Sequence, residues 1–221
     1  MAQRSQTVSH PLFARMFVRG AEFADERGGE QHRSELLKSL AGRVIDVGAG
    51  HGRNFRHYPE TVTEVVAVEP EVNLHALALK AADHARVPIR VVSGFAEELP
   101  AEDGSFDAGV VSLVLCSVED QRRVLSELLR VIRPGGELRF YEHVRAPSSS
   151  LARFQRVADL LWPRLGAGCH VSRDTKAEIE RAGFEIESCR EFSFRPMPLL
   201  YPASPHILGV ARRPGQEASG R

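Results

Sequence analysis

Seven consecutive residues, Asp46-Val47-Gly48-Ala49-Gly50-His51-Gly52, set an acid and three glycines at the end of a short apolar run. Glycine lets a backbone turn tightly and pass close to a ligand. A helix that starts there offers unpaired N–H groups. An acid and glycines at a strand end are what a nucleotide site needs. The spacing is G-x-G-x-G, one residue short of the nicotinamide pattern. A second acid, Glu69, closes the next apolar run, 17 positions after Gly52 (69 − 52). A carboxylate there can accept two charge-assisted hydrogen bonds from a ribose diol. Further on, His143 follows Glu142 at the end of another run, and His170 follows Cys169 in a glycine-flanked stretch. Histidine is the side chain best matched to proton work near neutral pH. His143 is therefore the first candidate base and His170 the second. Strand-end acids and histidines also occur as plain solvated or backbone-bonded groups. Cys116 reads as a small buried residue rather than a nucleophile.

The elements that must hold these residues follow from apolar patterning. Residues 44–48, 65–69, 89–92 and 106–115 are near-continuous apolar runs, as in strands buried on both faces of a parallel sheet. Helical patterns at 71–86 and 119–132 lie between them, and this alternation reads as a doubly wound α/β sheet. Arg133-Pro134-Gly135-Gly136 stops the second helix and turns into a fifth strand over 137–144. Beyond it come a helix carrying Leu151, Phe154, Val157 and Leu161, a helix over 175–182 closed by Gly183, and strands at 184–194 and 206–211. Upstream, a helix over 10–24 puts Leu12, Phe13, Met16 and Phe17 near one face. It reads as a packed helix, a lid over a ligand or a weak membrane-surface helix. Gly28-Gly29 breaks the chain, and 30–40 continues as helix. Phe13, Phe17, Trp162 and Phe194 are candidate walls of an apolar acceptor pocket. No repeat or linker interrupts the chain. The expectation is a single domain over 1–212, with 1–40 as a helical lid or cap and 213–221 as a flexible tail.

The bulk properties narrow the function. A chain of 221 residues is one ordinary domain, and 43% hydrophobic with 26% charged residues is a globular composition. Lys plus Arg and Asp plus Glu number 29 each, so nothing draws the protein to nucleic acid. Three cysteines, without C-x-x-C spacing, predict neither a disulfide framework nor a metal site, and favour a reducing compartment. Met1 to Gln6 are polar and no long apolar segment occurs, so a cytoplasmic protein without an integral membrane segment is expected.

Asp46 to Gly52, Glu69-Pro70, Gly104-Ser105-Phe106-Asp107 and Arg133-Pro134-Gly135-Gly136 together resemble the motif series of class I S-adenosylmethionine-dependent methyltransferases. Four further stretches, Leu113 to Val118, Glu142-His143-Val144, Gly168-Cys169-His170 and Pro205-His206-Ile207, resemble a narrower group, the animal methyltransferase-like thiol S-methyltransferases and their bacterial relatives. The resemblance implies a three-layer α/β/α Rossmann-like fold with seven strands, the last antiparallel, and S-adenosyl-L-methionine as cofactor. It implies Asp46 near the cofactor's amino acid end, Gly48, Ala49, Gly50 and Gly52 along its ribose and methionine, and Glu69 on the ribose hydroxyls. Pro70 would pack near the adenine, and Leu113 and Val114 would flank the cofactor. Many members carry an acid where this chain has Phe95, so the Ala96 N–H, with Glu97, would read the adenine edge. The acceptor would be a small, partly apolar molecule. Thiol S-methylation ranks first, then O-, N- or C-methylation of a natural product, quinone or lipid headgroup. A nicotinamide oxidoreductase and a catalytically silent cofactor-binding module are the alternatives.

Overall fold

Valine and isoleucine dominate the inner strands because both faces of the sheet are covered. In the computed structural model, which describes residues 9–166 and 168–215, seven strands form one sheet in the order β3-β2-β1-β4-β5-β7-β6. They are β1 (Gly42–Val47), β2 (Val62–Val68), β3 (Ile89–Val92), β4 (Phe106–Ser112), β5 (Ile132–His143), β6 (Glu185–Ser193) and β7 (Pro205–Arg212). The first five run parallel, and β7 is antiparallel to both β5 and β6. This is the expected seven-stranded, mostly parallel α/β sheet.

Side chains alternate between the two faces. Val44, Val65 and Ala67 pack beneath α2 (Glu30–Leu37) and α3 (Val72–Ala82), through Leu36, Leu37 and Ala78. Ile45, Val66 and Val68 share the other layer with Leu125 and Leu128 of α4 (Gln121–Val131) and Ile179 of α7 (Thr175–Arg181). Each of the valine, leucine and isoleucine side chains, fully buried, contributes about 1.5–3 kcal/mol. Acid side chains start the helices: Glu71 accepts from the Leu74 N–H, Asp120 from Arg122 and Arg123, and Asp174 from Ala177. The strand order reverses between β1 and β4, so a crevice opens at their carboxyl ends.

Several boundaries differ from the sequence reading. β4 ends at Ser112 rather than Leu115, because Leu113 takes a left-handed φ of 61° and turns the chain away. β5 starts at Ile132, and residues 133–136 bulge from its ladder: Phe106 pairs with Ile132, Ala108 with Glu137. The first helix, α1 (Pro11–Ala24), forms as expected, but two residues of its apolar face are exposed, Leu12 at 77% and Met16 at 72%. α1 passes into α2 through a π-helical turn at Asp25–Gly29, where Gly28 has φ 115°. The expected helix around Leu151 is α5 (Ser149–Ala158), followed by the short α6 (Trp162–Leu165), and its Phe154 and Val157 are exposed. Of the expected tail, residues 216–221 lie outside the described residues. Among the described residues, no helix is long and apolar enough to cross a membrane.

Candidate functional site

A mostly apolar cavity of about 350 Å³ lies at the carboxyl ends of β1, β4 and β5. The loop after β1 forms one side. Gly48, Gly50 and Gly52 have φ of 68°, 59° and 82°, a conformation only glycine adopts freely. A Cβ on Gly48 would meet Val114 Cγ2 at 2.6 Å, and one on Gly52 would meet the Ala81 Cβ at 2.8 Å. The loop therefore closes tightly on its neighbours and turns bare backbone toward the cavity, which Gly48, Ala49 and Gly50 line.

The two acids divide the work. Glu69 is buried; its carboxylate accepts from the Gly50 N–H at 2.8 Å and from the Glu71 N–H at 2.9 Å. Burial raises its pKa, and those two bonds oppose the rise. A carboxylate offers about four lone-pair sites, so Glu69 keeps acceptor capacity for a diol. Asp46 faces the core instead. It accepts from Asn54 Nδ2 at 3.1 Å and from the Tyr58 hydroxyl at 2.9 Å, and burial pushes its pKa up to about 6. Asp46 does not line the cavity; Asn54 does. Gly52, Glu69, Pro70, Ala96, Glu97 and Val114 also stand outside its lining, and Glu69 reaches its edge only through the Gly50 N–H. Val114 packs against Gly48, Ala96 is buried in the core, and the Glu97 carbonyl accepts from Arg123 Nε at 2.9 Å.

Three residues here escaped the sequence reading. Asp25, in the π-helical turn, is 5% exposed and pairs with Arg33 Nε at 3.2 Å and Arg53 Nε at 2.6 Å. Arg33 also reaches Asn54 Oδ1 and Ser112 Oγ, each at 3.1 Å. Two guanidiniums against one carboxylate leave a positive excess on the cavity wall, suited to a carboxylate ligand. No motif announces this trio, because its members are 8 and 28 residues apart. Next to them, both ring nitrogens of His51 are buried without a protein partner, and burial with Arg53 and Arg33 nearby holds its pKa down at about 4. A buried neutral imidazole without a partner on a cavity wall has hydrogen-bonding capacity left for a ligand.

α1 lies across this end of the crevice. The His10 N–H donates to Glu71 Oε1 at 2.9 Å, and the Phe17 ring comes within 3.4 Å of where a Gly50 Cβ would stand. Phe17, Trp162 and Phe194 line the cavity as expected; the side chain of Phe13 lies outside what is described.

The other wall is built from side chains. Past Leu113 the chain folds over Glu142, whose buried carboxylate accepts from the N–H groups of Val114 and Leu115 at 2.9 Å and Cys116 at 3.1 Å. Glu142 thus holds this turn in place, and no bond joins it to the His143 ring. The Cys116 Sγ and Cys169 Sγ stand 3.5 and 3.3 Å from His143 Nδ1. Burial alone would lower the His143 pKa, but the neighbouring Cys169 sulfur outweighs it and raises it. Cys169 shifts down, chiefly through Cys116 and against its own burial. His206 packs its ring on His143 at 4.5 Å, bonds the Ser204 carbonyl through Nδ1, and is held neutral by burial. His170 is not brought to the cavity; its backbone N–H ties the Cys169 loop to the Cys116 carbonyl at 2.7 Å.

Residues 45–140 match the methyltransferase-domain family model. The chain is 38% identical over 195 residues to rat thiol S-methyltransferase TMT1B, covering 82% of this chain and 78% of that protein. The chain belongs to the class I S-adenosylmethionine-dependent methyltransferases. A demethylmenaquinone methyltransferase of Renibacterium salmoninarum is 38% identical over 96 residues, 43% of this chain and 39% of its own length. Among solved structures, a Thermotoga maritima S-adenosylmethionine-dependent methyltransferase superposes with a TM-score of 0.68 at 21% identity, over 91% of this chain and 96% of that one. That likeness bears on the fold. The protein is thus a methyltransferase, and its family implies S-adenosylmethionine. The cavity fits that group: glycine backbone that tolerates close approach, a positive excess for the amino acid carboxylate, and His51 without a partner, with the Glu69 carboxylate next to it on the Gly50 N–H.

Proposed function

We propose that this methyltransferase acts on the sulfur of a small, partly apolar thiol. The observation that carries the reading is a convergence. The four stretches by which the sequence resembles thiol S-methyltransferases are far apart in the chain. Each reaches the lining of the same cavity, through Cys116, His143, Cys169 and His206 among others. The rat relative that matches over most of its length is itself named a thiol S-methyltransferase.

Bound S-adenosylmethionine supplies a methyl already activated by its sulfonium. The chain's part is to hold the partners. Glu69 would take the ribose hydroxyls, the 48–50 backbone would allow the cofactor's close approach, and Arg33 with Arg53 would take its carboxylate. Holding nucleophile and methyl at about 3–3.5 Å supplies several kcal/mol. α1 acts as the lid that excludes water, with Phe17 over Gly50. An ordinary thiol, with pKa about 8.5, is mostly protonated at neutral pH. Cys116, His143 and Cys169 form the wall where its thiolate is stabilised.

The reading is tested by a transfer screen over alkyl thiols, phenols, amines and quinones, with S-adenosylhomocysteine release as the readout. Turnover should be fastest with apolar thiols. Turnover of phenols or quinones with thiols inert would contradict it.

A further inference from the structure

We propose that Cys116, His143 and Cys169 form a three-ligand site for zinc or a similar thiophilic divalent ion, with an open fourth position that receives the acceptor's thiolate. The second half of this inference rests on the thiol reading above; the first does not.

Three separate segments meet here: the turn after β4, the end of β5 and the loop after α6. The two sulfurs and one imidazole nitrogen lie within 4.8 Å of one another. Both S···N distances, 3.5 and 3.3 Å, are to the same atom, His143 Nδ1. A tetrahedral zinc with Zn–S of about 2.3 Å and Zn–N of about 2.0–2.1 Å spaces sulfur and nitrogen by about 3.6 Å, and two sulfurs by about 3.8 Å. The cluster is already close to that size. The donor set is also diagnostic. Two thiolates and one imidazole suit a soft ion, and three protein ligands with one vacant position are the pattern of a catalytic rather than a structural zinc.

The supports around the three ligands are the kind that fix ligand direction. Glu142 clamps the backbone of Cys116. Gly168 has φ 80°, and a Cβ there would meet the Ser117 carbonyl oxygen at 2.9 Å, so only glycine brings Cys169 this near. The Cys169 loop is pinned on both sides. Its N–H bonds the Gly166 carbonyl at 2.9 Å, and the Asp159 carboxylate takes the N–H groups of Val171 and Ser172. The His206 ring packs against the His143 ring, their centroids 4.5 Å apart. Arg173 bonds the Leu115 carbonyl at 2.6 Å and sets a positive charge nearby. A divalent ion with two thiolates is neutral; a third thiolate adds one negative charge, which Arg173 offsets. The three ligands line the cavity, so the vacant position faces the acceptor's space.

The chemistry balances. The acceptor's S–H bond breaks, its proton leaves to water, and the sulfur binds the ion in place of a water molecule. A sulfur lone pair then forms the new bond to the methyl carbon as the carbon–sulfonium bond breaks. S-adenosylhomocysteine carries off that electron pair. The neutral thioether is a poorer ligand than a thiolate and departs.

The test uses the full chain, reduced and freed of metal by a chelator. Titration with zinc against a chromophoric chelator should show one equivalent bound per chain. Cobalt in its place should give thiolate-to-metal charge transfer and the strong visible bands of a tetrahedral site. Cys169→Ser should weaken binding beyond the about 10–100-fold that outer-shell changes cost. Cys189→Ser, at a half-buried position on β6, should leave binding unchanged. Unchanged S-adenosylhomocysteine binding shows that Cys169→Ser is folded. Adding ethanethiol to the cobalt form, without cofactor, should shift the visible bands. No stoichiometric binding by the reduced protein, or binding indifferent to Cys169→Ser, would overturn the site. A cobalt spectrum blind to thiols would overturn the open position. Full-rate thiol methylation by metal-free protein would overturn the site's part in catalysis and leave the thiol reading standing. Bound metal in a protein that methylates only phenols would do the reverse.

Discussion

The two walls of the cavity are made differently. The β1–β2 side is built around one contiguous loop that turns bare glycine backbone to the cavity, with the side chains of Asp25, Arg33 and Arg53 set beside it. The β4–β5 side is assembled from side chains that begin 27, 26 and 53 residues apart and meet only in the fold (143 − 116, 169 − 143 and 169 − 116). Backbone recognition needs local sequence and little else, so it suits a cofactor that every member of the class shares. Side-chain recognition needs tertiary placement and can differ from one methyltransferase to another. The difference teaches where to look for cofactor and where for acceptor.

If the walls are separate in this sense, damage to one should spare the other. The largest effect is expected on the side-chain wall. His143→Ala should lower the maximal rate by about 10²–10⁴-fold, the range for losing a group that assists proton removal. Its S-adenosylhomocysteine affinity should stay near wild type by calorimetry. Strongly weakened cofactor binding would erase the distinction between the walls. On the backbone wall, Glu69→Ala should cost about 1.5–3 kcal/mol of cofactor affinity, as for a bond to a charged group. Glu69→Gln, which keeps an acceptor, should cost less. Calorimetry that finds Glu69→Ala unimpaired would reduce Glu69 to a brace for Gly50. Gly48→Ala should lose about 1–3 kcal/mol in chemical denaturation, because its Cβ would strike Val114.

Two smaller effects sharpen the comparison. Removing residues 1–24 takes away the helix over the glycine loop. Turnover should fall while a cooperative unfolding transition remains; normal turnover would make α1 ordinary packing. Asp46 supplies a pH signature. Its folded pKa is raised, from 3.8 to about 6, so folding favours its protonated form. That contribution is full below about 3.8 and is lost as pH rises through about 6. Asp46→Asn removes the titration. The stability gap between mutant and wild type should therefore change between pH 4 and 6 and be flat above 7. A gap that is constant across that window would show that Asp46 does not titrate there.

What was legible in the sequence follows the same division. Strand–helix alternation, the glycine loop and Glu69 are local patterns, and each is found where its periodicity or spacing put it. Leu113 is the instructive miss. An unbroken apolar run over 106–115 reads as strand, but the chain leaves the sheet at Leu113 because Glu142 gathers the next three N–H groups. That contact links residues 26–28 apart, so no window of sequence contains it. The same holds for Asp25 with Arg33 and Arg53, and for the meeting of Cys116, His143 and Cys169. The cysteines carry no paired spacing because their pairing is made by the fold. His170 ranks second to His143 as a candidate base, and in the structure it is its backbone N–H, bonded to the Cys116 carbonyl, that meets this wall.

The most direct test of the central claim follows the methyl group itself. Wild-type protein is incubated with S-adenosylmethionine carrying a deuterated methyl and an equimolar mixture of an alkanethiol, a phenol and an amine. Mass spectrometry then identifies the labelled products. The account predicts a deuteromethyl thioether formed one for one with S-adenosylhomocysteine. Label found on oxygen or nitrogen, with the thiol unchanged, would contradict it.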